Sequence, residues 1–98
     1  MDERTDSEIW HQAKEDGITL VPFDSGGILT AAIRKEDIEE ACRRAELDSN
    51  NWEDIYSLGI GFFINTAAPG YGETRKESYI DALRAFEELQ PKVDWPEE

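Results

Sequence analysis

The chain holds one cysteine and one histidine, and those two shortages exclude much chemistry. A lone Cys42 permits no internal disulfide. One histidine and one cysteine fall short of the four nitrogen or sulfur ligands usual in a structural zinc site. His11 follows Trp10 on an acidic stretch, and no nucleophile-elbow sequence accompanies it, so Ser-His-Asp catalysis is not expected. Cys42 sits in Ile38-Glu39-Glu40-Ala41-Cys42, on the apolar side of a predicted helix. A small buried residue is expected there, and the neighbouring carboxylates disfavour a thiolate.

Basic residues are scarce as well: 10 Lys and Arg against 23 Asp and Glu leave a net charge of −13. Such a surface repels phosphate, so neither direct nucleic-acid binding nor an anionic membrane surface is expected. No apolar run approaches the length of a membrane span. Met1-Asp2-Glu3-Arg4 lacks the basic region and apolar run of a signal peptide, so the expected location is cytoplasmic. A basic partner, by contrast, would be attracted and would meet this chain faster at low salt. The plainer reading is that the acidity only confers solubility. Adaptation to high salt gains no clear support from nine isoleucines against two valines.

Abundant carboxylates raise the question of calcium. Asp48, Asn50, Trp52 and Asp54 begin like an EF-hand loop, but Trp52 occupies a ligand position. The required glycine and final glutamate are missing. Asp24-Ser25-Gly26-Gly27 and Gly70-Tyr71-Gly72 lack the lysine and spacing of a phosphate-binding loop and read as turns. No metal or cofactor is expected. A carboxylate pair for glycoside hydrolysis would need a cleft that a chain of this size has little room to build.

What is present suits a folded domain. The 98 residues are 39% hydrophobic and 10% aromatic, so one acidic domain is expected over 1–98, with loose ends at about 1–4 and 96–98. Thr5-Asp6-Ser7-Glu8 fits a capping box, Ile9, Trp10 and Ala13 make an apolar stripe, and Gly17 supplies a stop, which predicts a helix over 6–16. Ile18 to Phe23 and Ile28 to Ile33 read as a hairpin, with Pro22 at an edge or strand end. Residues 34–47 read as a helix with Ile38, Ala41, Cys42 and Ala45 on one face. Glu39 and Glu40 stand four residues before Arg43 and Arg44, the favourable order for ion pairs.

Asn50 and Glu53 suggest a helix start, with Trp52, Ile55 and Tyr56 on one face. The next run alternates at Leu58, Ile60, Phe62 and Ile64, as a buried strand over 59–65 would. A single long helix is the alternative, although two interior glycines would cost it about 2 kcal/mol. Residues 65–72 read as a loop. Thr74-Arg75-Lys76-Glu77 is a second capping box, and Tyr79, Ala82, Leu83, Phe86 and Leu89 line the helix that Pro91 ends. Phe86 stands at the centre of that stripe, and Val93 and Trp95 are placed to fold back on the core. The fold class is therefore α+β: three main helices and a β-hairpin or three-stranded sheet.

Leu58-Gly59 with Phe62, then Tyr79, Ala82, Phe86 and Pro91, resembles part of a tetratricopeptide repeat over about one third of the chain. The segment between them is too long for that repeat and no second copy follows, so no family is assigned. In composition alone, the small acidic α+β character is similar to that of bacterial nuclease-toxin immunity proteins.

Three functions compete. The first is an acidic non-catalytic inhibitor or immunity-type protein whose carboxylates occupy the basic surface of a nucleic-acid-handling partner, a toxin nuclease or a host-defence complex. The second is a helical adaptor that binds through an apolar groove beside the Thr74–Gln90 helix. The third, a small enzyme, has no motif behind it. For the first, the expected partner-binding residues are Asp24 in the hairpin turn, Glu53 and Asp54 at a helix start, and Tyr71 with Glu73 in the glycine-flanked loop. The oligomeric state is not set by any of these features.

Overall fold

The first element begins where its capping box requires. In the computed structural model, which describes residues 3–24 and 28–96 (Asp24 by its backbone only), Thr5 Oγ1 accepts from the Glu8 amide at 3.1 Å. The Glu8 carboxylate accepts from the Thr5 amide in return at 3.3 Å. Helix α1 spans Asp6–Glu15, and Gly17 follows at φ 82°. Strands β1 (Ile18–Asp24) and β2 (Ile28–Arg34) pair antiparallel, Ile18 opposite Arg34 and Asp24 opposite Ile28. Of the turn expected at 24–27, residues 25–27 lie outside the described residues, as do 1, 2, 97 and 98 of the ends expected to be loose. Helix α2 (Lys35–Arg44) leaves β2 directly.

Neither form expected for residues 52–65 is adopted. The segment makes two short helices, α3 (Trp52–Ser57) and α4 (Ile60–Thr66), broken where Gly59 takes φ 89°. Asn51, not Asn50, caps α3, its side chain accepting from the Glu53 amide at 2.9 Å. The third strand is not 59–65 but β3 (Ala68–Gly72), inside the expected loop. It pairs antiparallel with β2, giving the order β1-β2-β3. Helix α5 (Arg75–Leu89) follows, with Thr74 accepting from the Glu77 amide at 3.1 Å. Glu77 completes the second box one residue early, accepting from the Glu73 amide at 3.1 Å.

The glycines of β3 explain why a loop-like sequence forms a strand. Ala68 and Gly70 are buried while Pro69 and Tyr71 are exposed, the alternation of a half-covered strand. A Cβ added at Gly70 would overlap the Ala82 backbone, and one added at Gly72 would stand 2.6 Å from the Ser78 nitrogen. Both glycines give α5 clearance to lie on the strand; they do not serve to turn the chain. On β2, Thr30 is buried with its hydroxyl 2.7 Å from Ser78 Oγ, and Ser78 donates onward to the Arg75 carbonyl at 2.7 Å.

The sheet is covered on both faces. Ile9 and Ala13 of α1, with Tyr79 and Ala82 of α5, bury Leu20 and Ala32 on one side. Ile38 and Cys42 of α2, Ile55 of α3 and Phe63 of α4 bury Val21 and Ile33 on the other. The three longest helices are thus α1, α2 and α5, of five among the described residues. Phe86, expected at the centre of α5's stripe, is only half-buried, and the helix inserts Ser78, Tyr79 and Ala82 instead. The Cα radius of gyration, 13.0 Å, is that of one domain of this length.

Both outer edges of the sheet are closed by side chains. The Trp10 indole donates to the Leu20 carbonyl at 2.8 Å, and the Tyr56 hydroxyl donates to the Pro22 carbonyl at 2.5 Å. Pro22 brings no amide to that edge, as its sequence position suggested. On the far edge Pro69 likewise has no donor, and the Tyr71 amide donates to Asp81 at 2.9 Å. These caps deny a further strand its template.

After Gln90 the chain returns along α2. Asp37 is 1% exposed and its carboxylate gathers four donors: Arg34 Nε at 2.7 Å, Arg34 Nη2 at 2.8 Å, Trp95 Nε1 at 3.0 Å and the Val93 amide at 3.3 Å. Arg44 then lies 5.1 Å from the Trp95 ring centre and donates to the Pro96 carbonyl at 2.7 Å. Val93 and Trp95 do fold back, and one buried aspartate holds them.

Candidate partner-binding site

Charge is unevenly distributed along this fold. On α2, Lys35 pairs with Glu39 at 3.3 Å, and Glu40 receives Arg44 Nε at 2.9 Å and Arg43 Nε at 2.9 Å. The expected Glu39–Arg43 pair is replaced, because Glu40 takes both arginines. Hydrogen bonds from Arg43, then Arg44, hold the Glu40 carboxyl at about 2, against a small opposing effect of burial. From Ala45 to Thr74, by contrast, the chain has no Lys or Arg, and Glu46, Asp48, Glu53, Asp54 and Glu73 are its acids.

The first surface in that stretch is an aromatic groove of about 550 Å³, open to solvent. Trp10 and His11 of α1, Trp52 and Tyr56 of α3, Pro22 of β1 and Tyr79 of α5 line it. The rings support one another, with Trp10–Trp52 centroids 5.9 Å apart and Trp52–Tyr56 centroids 5.8 Å apart. At that spacing they pack on each other and leave no room for a cation between them, and Trp52 and Tyr56 are each 41% exposed. The expected common face of Trp52, Ile55 and Tyr56 is therefore split, with Ile55 buried in the core and the two larger rings turned to the groove.

Glu53 is exposed immediately beside Trp52. Asp54 is committed inward, its carboxylate accepting from the Asp48 amide at 2.8 Å to hold the turn before α3. The other expected residues belong elsewhere. Register places Asp24 opposite Ile28 and Ile28 opposite Gly72, so Asp24, Tyr71 and Glu73 gather at one end of the sheet. The side chain of Asp24 lies outside the described residues. Trp52, which precedes Glu53, lines a hollow with Thr19 and Lys35 at the opposite end. The five residues thus fall into two groups on separate surfaces. The grouping of Trp10 with Trp52 and Tyr56 was not anticipated, since only the fold brings α1 against α3.

Tyr71 belongs to a second surface, an apolar hollow of about 150 Å³ between α4 and the sheet, lined by Phe23, Leu29, Ile60, Ile64 and Pro69 among others. It is separate from the hollow of about 410 Å³ beside the Thr74–Gln90 helix, which Ile18, Arg34, Phe86 and Pro91 line with others.

The His11 ring meets Trp10 edge-on at 5.1 Å. Cys42 is buried, and that burial, aided by the charges of Asp54 and Asp48, pushes its thiol up and away from the reactive thiolate. Among the described residues no three His, Cys, Asp or Glu side chains are grouped to hold a metal ion, and no helix is long and apolar enough to cross a membrane. Comparison with known proteins finds no matching family model, no matching curated protein and no matching solved structure.

Proposed function

We propose that the protein is a non-catalytic acidic binding protein that neutralises a basic, nucleic-acid-handling partner, as an inhibitor or immunity-type protein does. The observation that carries this reading is the groove beside α3. Two half-exposed aromatic rings, Trp52 and Tyr56, line it, and Glu53 stands exposed next to Trp52 in a segment, 45–74, that has no Lys or Arg; the charged residues of the groove lining itself are Asp6 and Arg75. A Lys or Arg of a partner is attracted to an aromatic face and to a carboxylate together. Trp and Tyr are also the side chains that most often anchor interfaces. The surrounding net charge of −13 would speed the encounter.

The test is affinity capture from native cells, followed by association kinetics against the captured protein. A basic nuclease or nucleic-acid-binding complex is expected. Trp52→Ala should raise the dissociation rate about tenfold or more, the effect of losing an interface anchor worth at least ~1.4 kcal/mol. Glu53→Lys should slow association, more at low salt than at high salt. Capture that survives both substitutions in folded protein rejects the site.

A further inference from the structure

Two helices end on a residue of positive φ that is not glycine: Glu46 at 60° after α2 and Gln90 at 43° after α5. In the first case the next amide closes the turn, Leu47 donating to the Cys42 carbonyl at 2.8 Å. In the second no such bond can form, because Pro91 follows Gln90 and has no amide. The Gln90 amide does donate to the Phe86 carbonyl at 2.7 Å, but that bond does not fix the φ and ψ of Gln90 itself. A proline also pushes the residue before it away from helical angles and towards extended ones. The side chain of Gln90 and the ring of Pro91 thus both oppose the left-handed turn. Glu87, Glu88, Leu89 and Gln90 are all exposed, so no packing around the hinge imposes it either.

What holds the turn is the docking of residues 91–96 beyond it. Along this strap Val93 and Trp95 are half-buried, while Lys92, Asp94 and Pro96 between and after them are exposed. Its dock is a small set of polar anchors on α2. Asp37 accepts from the Val93 amide and the Trp95 indole, and Arg44 lies over the Trp95 ring and donates to the Pro96 carbonyl. We propose that this strap exchanges between two copies of the chain, each laying its residues 91–96 on α2 of the other. The dock itself selects that occupant. A second copy brings the same amide, indole and carbonyl in the same order, so every docking bond of the closed monomer is remade. What changes is Gln90, which becomes free to take the extended angles that Pro91 favours. Short hinges held against their preference are the points at which chains swap an end segment. Opposing the exchange is the tether, which gives a strap on its own chain an effective concentration on the order of millimolar. The inference involves neither the aromatic groove nor its partner.

Sedimentation equilibrium of the full chain, from micromolar to millimolar concentration at one fixed salt concentration, tests it. A monomer–dimer equilibrium is expected, and the exposed hinge should set its strength. Gln90→Gly removes the cost of the left-handed turn and should weaken the dimer about fivefold. Gln90→Val, a β-branched residue ill-suited to positive φ, should tighten it about fivefold. A mixing experiment then asks whether the strap is the part exchanged. Asp37→Ala keeps the strap and loses the dock, and Trp95→Ala keeps the dock and loses the indole. Neither variant can rebuild the full set of bonds alone, but the first can lay its intact strap on the second. The mixture should associate about tenfold more tightly than either variant by itself. Circular dichroism checks that both variants fold, and the Gln90 pair decides the matter if one does not. A full chain and a Gln90→Val variant that both stay monomeric overturn the proposal. So does a dimer indifferent to both hinge substitutions, or a mixture of folded variants that associates no more tightly than its components.

Discussion

At the scale of single residues, Asp37 shows how one buried carboxylate can organise a chain end. Burial by itself would raise its pKa, but the hydrogen bonds from Arg34 and Trp95, the Arg34 charge and the Val93 amide outweigh burial and hold the carboxyl below its ordinary range. A carboxyl depressed in the folded state contributes stability that is present above the unfolded pKa, near 4, and is lost as pH falls through the folded value. The C-terminal return should therefore loosen below about pH 4. Trp95 fluorescence checks this in a Trp10→Phe, Trp52→Phe background, and an emission spectrum unchanged down to global unfolding would refute it. Asp37→Ala should destabilise by about 3 kcal/mol, the low end for breaking a buried pair, because the Arg34 side chain left behind is still 31% exposed. Urea unfolding measures it, and a loss below about 1 kcal/mol would mean that the four hydrogen bonds add little to folding. Glu40, partly exposed and held by two arginines, is expected to matter far less although its pKa is also lowered.

At the scale of elements, the tightest seam is α5 on β3. It is made of small side chains, Ala68 and Gly70 against Ser78 and Ala82, and it admits no further atom at Gly70. Gly70→Ala must push backbone against backbone, so a destabilisation of about 3 kcal/mol or more is expected. Thermal unfolding measures it, and a shift no larger than that of the exposed Gly61→Ala would show that the seam can open. The same seam explains what sequence reading could and could not reach. Local signals sufficed for α1, the hairpin and the start of α5, because Thr5, Gly17 and Thr74 act on their own neighbours. Pro69-Gly70-Tyr71-Gly72 carries turn-forming residues, and only the approach of Ala82, twelve positions on, makes it a strand. The alternation of Leu58, Ile60, Phe62 and Ile64 looked like a strand because the period of a short apolar run is ambiguous. For the candidate site, Glu53 and Tyr71 were legible as residues at element ends. The convergence of Trp10 on Trp52 depends on long-range packing and left no local mark.

At the scale of the whole molecule, the competition is between local ion pairs and long-range repulsion. The pairs on α2 are partly exposed, and such pairs contribute about 0.2–1 kcal/mol each, so screening them removes little. The repulsion arises from an excess of 13 negative charges on a body whose radius of gyration is 13.0 Å. At about 0.01 M salt the screening length is roughly 30 Å, so charges across the whole fold repel one another; at about 0.15 M it falls to roughly 8 Å and only neighbours do. The neighbours on α2 are of opposite sign, so what screening removes is mostly unfavourable. Sodium chloride should therefore stabilise the fold, raising the urea midpoint between these two ionic strengths. Urea is the denaturant to use, because guanidinium chloride would itself screen the charges. A midpoint that falls with salt would show that the carboxylates are already balanced locally, and would remove the long-range field on which steering toward a basic partner depends.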